Sequence, residues 1–342
     1  MGHDTGHRSA AEVLAEAAAA AGYAPSIHNT QPWRWRVRDN TLDLYASRDR
    51  RLPNTDPEGH LLVLSCGAAL HHALVALAAE GWTCTVDRCP DPDDPDHLAR
   101  LTLGEPTEVD PVAMRLFQTM RVRHTDRRPL SEVPADATAL DAVEAAATVD
   151  GVHLHRLDRD EVIELAVAAA EAQRAELRDP DWRAEMQYWA GNLRADGTGL
   201  PDAVIPSEEP ATTVPARDFG RRGTLPISAG HDRTAVWAIL YGDDDSPAGW
   251  LRAGEALSSA WLVATEHGLS LVPLSAVVEV DGTRQTLRRI VAQIGFPYLA
   301  LRLGVPDPEH HGPPHTPRLP VDQVVETADD RPVRDDRPVR DA

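Results

Sequence analysis

The sequence predicts an α+β fold in which helices flank an antiparallel sheet, and three observations support this. Residues 58–80 are apolar nearly all round, which is typical of a helix buried in a core. Residues 34–38 and 42–46 alternate in polarity around Asp39-Asn40, as the two arms of an antiparallel hairpin do. A similar order of elements recurs loosely in the later part of the chain, so a weak internal duplication is predicted.

The individual elements follow in order from local patterns of apolar and turn residues. The first unit is predicted to contain, besides the hairpin, helices 9–22 and 58–80 and strands 82–88 and 98–103. The second unit is predicted to contain helices 111–120, 135–147, 159–176, 249–267 and 284–293, and strands 151–156, 235–241, 269–272 and 297–303.

The chain is predicted to divide into halves at 9–108 and 109–322, followed by a disordered tail at 323–342 that twice repeats Asp-Arg-Pro-Val-Arg-Asp. Within the second half, residues 176–234 form an insertion. Its part from 191 contains six Gly and five Pro with little periodicity, which is typical of a lid or a disordered segment. Just before it, three large side chains share a helix face and are more typical of core than of a ligand roof: Trp182, Met186 and Trp189.

Composition excludes several classes of function. The 342 residues carry a formal net charge of −20, which argues against nucleic acid and anionic membrane surfaces as partners. The sequence contains no lysine, so Schiff-base chemistry and a P-loop lysine are excluded, and any phosphate must be held by arginine or backbone N–H groups. Three cysteines without zinc-type spacing and no evident secretion signal predict a cytoplasmic protein.

The loop at 24–33 is the most informative stretch, because small hydroxyl and amide side chains lie there on a proline-stiffened segment. Such a loop can present donors and acceptors in fixed geometry, as a polar planar ligand requires. An ordinary capped connector between helix and strand explains the same residues, and the loop alone leaves both interpretations open. Its candidate ligand-binding residues are Pro25, Ser26, Ile27, His28, Asn29 and Gln31.

A second group of polar residues lies at 121–129, directly after a predicted helix. Four arginines and Thr125 there can donate hydrogen bonds to an anion. In an acidic protein, such a cluster is either a set of salt bridges or an anion site, and the residues alone do not decide. Arg318, fixed between two prolines, adds another guanidinium far downstream.

Other candidate sites are weaker. His310, His311 and His315 have a tempting spacing for a metal, but the glycine and prolines between them break any helix that would align the rings, so no metal is predicted. His71 and His72 lie in the apolar helix and are predicted to be satisfied core groups. The chain has neither a G-x-G-x-x-G fingerprint after a strand nor a G-x-S-x-G elbow, which leaves a Rossmann site and a serine hydrolase unsupported.

Together these motifs resemble the flavin-dependent nitroreductase superfamily, and most closely its fused single-chain members, the Acg family of actinobacteria. The resemblance rests on A-P-S-x-x-N-x-Q-P-W at 24–33, R-H-T-x-R-R-P at 123–129 and the late Arg-Leu-Pro, in that order. Two weaker stretches at 271–275 and 295–298 agree with it. It spans about residues 10–322.

The resemblance implies a nitroreductase-like fold in which two fused halves imitate a dimer, with one FMN between them and a lid formed by the insertion. By position, Arg123, Thr125 and Arg127 match the segment that holds the FMN phosphate and ribityl chain, and Arg318 also matches a phosphate contact. The loop at 25–29 matches one that reaches the flavin from the opposite half. The stretch that matches the strand edge along the flavin ring is Pro273, Leu274 and Ser275.

The activity that the resemblance implies is electron transfer from a reductant, with NADH and NADPH as candidates, through FMN to a small, flat, electron-poor acceptor. The flavin carries this chemistry, so no side chain is assigned as a catalytic acid or base. Only one complete set of motifs is present, which predicts a single FMN site in a monomer or weak homodimer. The alternative is an FMN-sequestering protein with little or no turnover, which the lid and the single site would suit.

Overall fold

Most of the described α-helices begin where the sequence provides a capping side chain. Ser9 and Glu12 form a reciprocal capping box at the start of the first helix, and Asp158 and Glu161 form another further on. The computed structural model describes residues 8–191, 194, 196–227, 230–309 and 312–327. Its α-helices are α1 (Ala10–Ala21), α2 (His60–Ala79), α3 (Pro111–Thr119), α4 (Ala137–Ala147), α5 (Arg159–Arg178), α6 (Pro180–Trp189), α7 (Pro247–Glu266), α8 (Ala276–Glu279) and α9 (Asp281–Ile290).

The strands form two separate sheets, so the fold is α+β with antiparallel sheets flanked by helices, as predicted. The first sheet has the order β3-β4-β2-β1-β9 and the second β5-β6-β8-β7. The strands are β1 (Trp33–Arg38), β2 (Thr41–Ala46), β3 (Trp82–Arg88), β4 (His97–Pro106), β5 (Val152–Arg156), β6 (Val236–Gly242), β7 (Ser270–Leu274), β8 (Phe296–Gly304) and β9 (Val325–Glu326).

The predicted hairpin is confirmed as β1 and β2, which pair antiparallel with Trp35 opposite Leu44. Asp39 takes a left-handed conformation at the turn, with φ of 49°. Because side chains alternate along a strand, Trp33, Trp35 and Val37 of β1 are buried while the arginines between them face outward. The alternating pattern in the sequence is therefore explained by one buried face.

The short strand β9 lies within the segment for which the sequence predicts disorder. Val325 pairs in parallel with Trp35 of β1, so the ordered chain extends beyond residue 322 and returns to the first sheet. The prediction was wrong at this boundary because a two-residue strand has no periodicity to detect. The repeated Asp-Arg-Pro-Val-Arg-Asp motif lies outside the described residues.

Helices α2 and α7 pack against each other in the core between the sheets. α2 has a mean hydropathy of 2.0 and enough length to cross a membrane, but here nearly all of it is buried against other elements. The two backbones approach closely at two glycines. A Cβ on Gly67 would lie 2.0 Å from the carbonyl oxygen of Leu251, and one on Gly254 would lie 1.9 Å from that of Leu64. Only glycine fits at either position.

The insertion has a small core of its own. Trp182, Met186 and Trp189 of α6 are 4%, 1% and 6% exposed, which confirms that they are core residues. Two of them, Trp182 and Met186, pack with Val204 and Phe219 from the aperiodic part of the insertion. The insertion is therefore a packed segment over the described residues, and Phe219 connects its core to the cavity described next.

Candidate functional site

A cavity of about 490 Å³ is lined by residues from early, middle and late parts of the chain. Its walls come from α2, α7, the end of β7, residues 123–127, the insertion and the segment around Arg318. Twelve of the thirteen site residues predicted from the sequence line it. They are Pro25, Ser26, Ile27, His28, Asn29, Arg123, Thr125, Arg127, Pro273, Leu274, Ser275 and Arg318.

The loop after α1 is held in a strained conformation. His28, Asn29 and Gln31 all have positive φ, at 45°, 57° and 50°, which non-glycine residues rarely adopt. Two hydrogen bonds fix it: the Gln31 N–H donates to Ser26 Oγ at 2.9 Å, and the Ile27 N–H donates to Ser65 Oγ of α2 at 3.1 Å. The hydroxyl of Ser26 thus stabilises the loop itself, while the ring of His28 lines the cavity.

Gln31 is the predicted site residue that does not line the cavity. Its amide nitrogen donates to the carbonyl of Gly197 at 2.9 Å, and its amide oxygen accepts from the Leu319 N–H at 2.9 Å. Asn29 has a related role, because its amide nitrogen donates to the backbone carbonyls of Gly199 and Pro317, both at 3.1 Å. These two amides join the loop to the insertion and to the segment that carries Arg318.

We expect Gln31→Ala to lower the free energy of unfolding by about 1–3 kcal/mol, because it leaves the buried Leu319 N–H without its acceptor. Denaturant titration measures the loss. Gln118→Ala, on the exposed face of α3, is the matched control and should change stability by less than about 0.5 kcal/mol. Equal stability of the Gln31→Ala and Gln118→Ala proteins would show that Gln31 does not stabilise the contact between the loop and the segment that carries Arg318.

Two guanidinium groups meet at one end of the cavity without an anionic partner among the described residues. Arg123 stacks over the Trp261 ring at 4.4 Å, and its Nε and Nη1 atoms are buried without hydrogen-bond partners. Arg318 donates to Asn29 Oδ1 at 3.2 Å, but its Nε is also unpartnered. Burial lowers the pKa of Arg123 to about 9 and that of Arg318 to about 10, and repulsion from Arg318 adds to the effect on Arg123. This end of the cavity is an unneutralised pair of cations.

Arg127 lies in a different electrostatic environment from Arg123. Its Nη1 donates to the carbonyl of Val204 at 3.3 Å, and its guanidinium lies 5.3 Å from the centroid of the Phe219 ring in the insertion. Burial lowers its pKa to about 10, and the charges that act on it include Asp126 and Arg217. The predicted cation cluster is therefore divided between two regions of the cavity.

The remaining arginines of the 121–129 cluster have other roles. Arg128 forms an ion pair with Asp126 at 2.7 Å, and both side chains are buried. Arg121 is exposed, and its guanidinium lies 5.5 Å from the centroid of the Tyr23 ring. The salt-bridge alternative thus holds for Arg128, whereas Arg123 has no counterion among the described residues, and an anion site there stays a prediction.

Apolar side chains form much of the cavity wall between the charged groups. Leu64 comes from α2, Leu257 and Trp261 come from α7, and Leu274 ends β7. The close helix contact at Gly67 and Gly254 sets the separation of the two helical walls. An apolar slot with a few placed polar groups is the usual form of a small-molecule site.

The insertion contributes a buried ionic network that the sequence did not predict. Arg217 donates to Glu176 of α5 at 2.8 Å, also contacts Glu279 of α8, and donates to Nε2 of His28 at 2.9 Å. Its side chain is 11% exposed, and those of Glu176 and Glu279 are 3% and 2% exposed. No periodicity marks Arg217 in the sequence, so no local signal could have identified it.

The acid-base behaviour of Glu176 follows from this network. Burial is the main cause that raises its pKa to about 8; Glu279 raises it further, and Arg217 opposes the shift. The folded protein therefore binds this proton more tightly than the unfolded chain does. The stabilisation is fully present below the ordinary pKa of 4.5 and is lost as pH rises through the folded value.

We expect the free energy of unfolding to fall between about pH 4.5 and pH 8, by up to about 1.4 kcal/mol per pH unit, because over this range the unfolded chain has lost the Glu176 proton while the folded protein keeps it. Glu176→Gln should remove most of this slope, because the amide keeps an acceptor for Arg217 but has no proton to lose. Urea titrations at several pH values measure how the free energy of unfolding depends on pH. The exposed Glu171→Gln on α5 is the control and should keep the wild-type slope; a Glu176→Gln protein with that same slope would refute the assignment.

The other histidines singled out in the sequence lie in the core helix or near the cavity, where the structure describes them. His71 Nδ1 lies 2.9 Å from Ser258 Oγ, and His72 Nδ1 lies 3.1 Å from the carbonyl of Ala68, which confirms the predicted core role except that His72 Nε2 is unpartnered. His315 lies at the cavity edge, with its ring centroid 6.3 Å from that of His124. His310 and His311 lie outside the described residues. Among the described residues, no group of three His, Cys, Asp or Glu could hold a metal.

No protein-family model matches the chain. Among curated sequences, "Putative NAD(P)H nitroreductase Rv3131" of Mycobacterium tuberculosis (strain ATCC 25618 / H37Rv) is 38% identical over 311 residues, covering 89% of this chain and 88% of that protein. "Putative NAD(P)H nitroreductase acg" of the same strain is 34% identical over 321 residues, covering 92% of this chain and 95% of that protein.

Some solved structures overlap with part of the chain. The FMN and NADPH-dependent nitroreductase NfnB from Sphigopyxis sp. strain HMH overlaps with a TM-score of 0.40 at 17% identity, covering 62% of this chain and 97% of that chain. A nitroreductase with bound FMN from Bacteroides fragilis NCTC 9343 overlaps with a TM-score of 0.38 at 13% identity, covering 59% of this chain and 93% of that chain. Family membership rests on the curated sequence relatives, which are similar over most of their length. By that similarity the chain belongs to the nitroreductase family, in the branch that includes Acg.

Proposed function

We propose that the protein binds one FMN in this cavity, with Arg123 and Arg318 holding the phosphate. The observation that carries the proposal is a pair of neighbouring guanidinium groups with no carboxylate partner among the described residues, in which Arg123 Nε and Nη1 and Arg318 Nε have no hydrogen-bond acceptor. A phosphate dianion would supply the missing acceptors and would relieve the repulsion between the two cations. Thr125 lies between Arg123 and Arg127 in the sequence and also lines the cavity, so its hydroxyl provides a further hydrogen-bond donor.

The rest of the cavity suits the flat ring of a flavin. Leu64, Trp261 and Leu274 provide apolar wall, and Arg127 and His28 provide donors at the other electrostatic region. Once bound, FMN would supply the hydride and electron transfer chemistry, and the protein's own residues would orient it and exclude water. Pro25–Asn29 and Pro273–Ser275 would contact it as the family resemblance implies.

A fused pair of halves with one site is part of the proposal. The same separation of 187 residues that relates His71 to Ser258 also relates Gly67 to Gly254 and Leu64 to Leu251. Reciprocal contacts of this kind are typical of a two-fold interface. The same separation relates Arg252 to Ser65 and Arg88 to Ser275, and both serines line the cavity. Arg252 forms an ion pair with Asp244, and Arg88 forms one with Glu255. Basic groups there are already neutralised, which supports one site where a symmetric dimer would have two.

As a reaction, we propose electron transfer from NADH or NADPH to a small, flat, electron-poor acceptor such as a nitroaromatic or quinone. Support for the reductant comes from the names of the curated relatives. An anaerobic test decides it. The protein as purified should show flavin absorption that bleaches with excess NADH or NADPH, and bleaching by dithionite alone would overturn the nicotinamide-dependent reductase.

A second candidate function is FMN sequestration with little turnover. It is favoured by the insertion, which lines the cavity with Phe219 and is joined to the other walls through the buried contacts of Arg217. A cavity of about 490 Å³ leaves a second ligand little room beside FMN. Slow FMN release together with resistance to both nicotinamides would favour this candidate, and release that is fast compared with reduction would exclude it.

The expected setting of this function is the cytoplasm, with the chain as a monomer or weak homodimer. The net charge of −20 supports small molecules rather than nucleic acid or membrane surfaces as partners. Size-exclusion chromatography coupled to light scattering measures the oligomeric state. A protein that elutes as a stable higher oligomer would contradict this part of the proposal.

A further inference from the structure

The hydrogen bond between Arg217 and His28 determines where the imidazole carries its proton. Arg217 Nη1 lies 2.9 Å from His28 Nε2. A guanidinium can only donate hydrogen bonds, so Nε2 must accept with its lone pair. In the neutral ring, the proton then lies on Nδ1. The assignment follows from the hydrogen-bond network and needs no hydrogen position to be observed.

The surroundings of Arg217 hold this arrangement in place. Glu176 and Glu279 anchor its guanidinium from α5 and α8, so the donor to His28 cannot turn away without breaking a buried ion pair. The charged groups that face His28 are Arg217 and Arg127. Burial, reinforced by these two cations, lowers the pKa of His28 well below its ordinary value of 6.5, so the ring stays neutral at physiological pH.

The other ring nitrogen of His28 is free to act on a ligand. Among the described residues, no side chain or backbone group accepts a hydrogen bond from Nδ1, although that atom is not fully enclosed by protein. Phe219 packs edge-on against the ring, with centroids 6.1 Å apart. His28 itself lines the cavity. A neutral N–H donor is therefore available at the cavity wall.

We propose that Arg217 is a positioning residue which fixes His28 as the Nδ1–H tautomer, so that His28 donates a hydrogen bond to an acceptor atom of the bound ligand. The ligand chemistry is a carbonyl, nitro or ring-nitrogen acceptor on a flat conjugated molecule. Two sources of that chemistry are the flavin itself and an electron acceptor beside it. The inference rests on the proposed function for the identity of the ligand, but the tautomer is a property of the protein alone.

The tautomer is tested first, on the full chain labelled with ¹⁵N at histidine. Nuclear magnetic resonance should show His28 with a protonated Nδ1 and an unprotonated Nε2, the peak being assigned by its loss in His28→Asn. Arg217→Met should shift this peak toward the Nε2–H form, and Arg217→Lys, which keeps a donor, should largely restore it. The exposed Arg183→Met on α6 is the control and should leave the spectrum unchanged. An Nε2–H form in the wild-type protein would overturn the inference without reference to FMN.

Ligand contact is tested next, by adding FMN and then menadione, a flat quinone, to the same sample. A shift of the His28 Nδ1 resonance with FMN alone identifies the flavin as the hydrogen-bond acceptor. A shift that appears only after menadione is added identifies the electron acceptor instead. His28→Leu should weaken binding of the responding ligand about 5- to 20-fold, and His28→Asn, whose amide N–H can replace Nδ1–H, should recover most of it. FMN binding with no change at Nδ1 from either ligand would overturn the inference. Failure to bind FMN at all would instead contradict the proposed function, and the tautomer result would stand by itself.

Discussion

Arg123→Gln is expected to weaken FMN binding by about 1.5–3 kcal/mol, which is roughly 10- to 150-fold in the dissociation constant. The physical reason is the loss of a charge-assisted bond to the phosphate at the site where Arg123 and Arg318 lack counterions. Quenching of FMN fluorescence measures the affinity. Arg115→Gln is the matched control, since this exposed arginine forms an ion pair with Glu266 at the surface, away from the cavity, and the variant should bind FMN normally.

Riboflavin provides a sharper comparison, because it is FMN without the phosphate. Arg123→Gln and Arg318→Gln should leave riboflavin affinity close to that of the wild-type protein. Arg127→Gln should weaken FMN and riboflavin alike, because Arg127 lies beside Phe219 and His28 in the other region of the cavity. Equal losses for both ligands in Arg123→Gln would move the phosphate elsewhere. Without ligand, Arg123→Gln should be at least as stable as wild type, since an unpaired buried charge has been removed.

The second large effect is expected at the crossing of α2 and α7. Gly67→Ala or Gly254→Ala should each lower the free energy of unfolding by about 3–5 kcal/mol, because the new Cβ would overlap a backbone carbonyl that no rotamer change can move. Relief requires the helices to separate. Since Ser65 and Trp261 belong to these helices and line the cavity, FMN binding should weaken with stability.

Gly282→Ala is the control for this effect. Gly282 lies in α9, where a Cβ would meet nothing within 4 Å, so the change should be neutral or stabilise by up to about 1 kcal/mol. Thermal and denaturant unfolding measure all three variants. The double variant at Gly67 and Gly254 should lose less than the sum of the single losses, because one separation relieves both overlaps. Stability in Gly67→Ala equal to that in Gly282→Ala would show that the two helices are not in contact there.

The elements predicted from the sequence were those with a local signal. The buried helix α2, the hairpin of β1 and β2 and the long helices of the second half follow from periodicity over many residues. The strand β9 was missed because its two residues gain their conformation only from pairing with β1. The resemblance placed the motifs in one family, and the curated relatives confirm that family.

The candidate site was predictable in composition but less so in orientation. Motif spacing identified Arg123 and Thr125, which line the cavity, yet gave no indication that Arg127 faces a different set of charges. Gln31 belongs to the same motif, but its direction depends on Gly197 and Leu319, far away in the sequence.

Arg217 could not be found from the sequence at all. Its two carboxylate partners are 41 and 62 residues away, in helices that only the folded structure brings together. The insertion around it has no periodicity from which a burial pattern could be read. Residues of this kind, whose role is set by distant partners, need the three-dimensional structure.

Strand β9 also bears on how the protein is made. Its contact with β1 joins residues 290 positions apart, as in the Arg36–Glu326 hydrogen bond, so it forms only after the chain as far as β9 has left the ribosome. Until then the outer edge of β1 is exposed, and such edges pair readily with other nascent chains. Because Arg318 lies just before β9, the proposed binding of FMN by this arginine must follow synthesis of that segment.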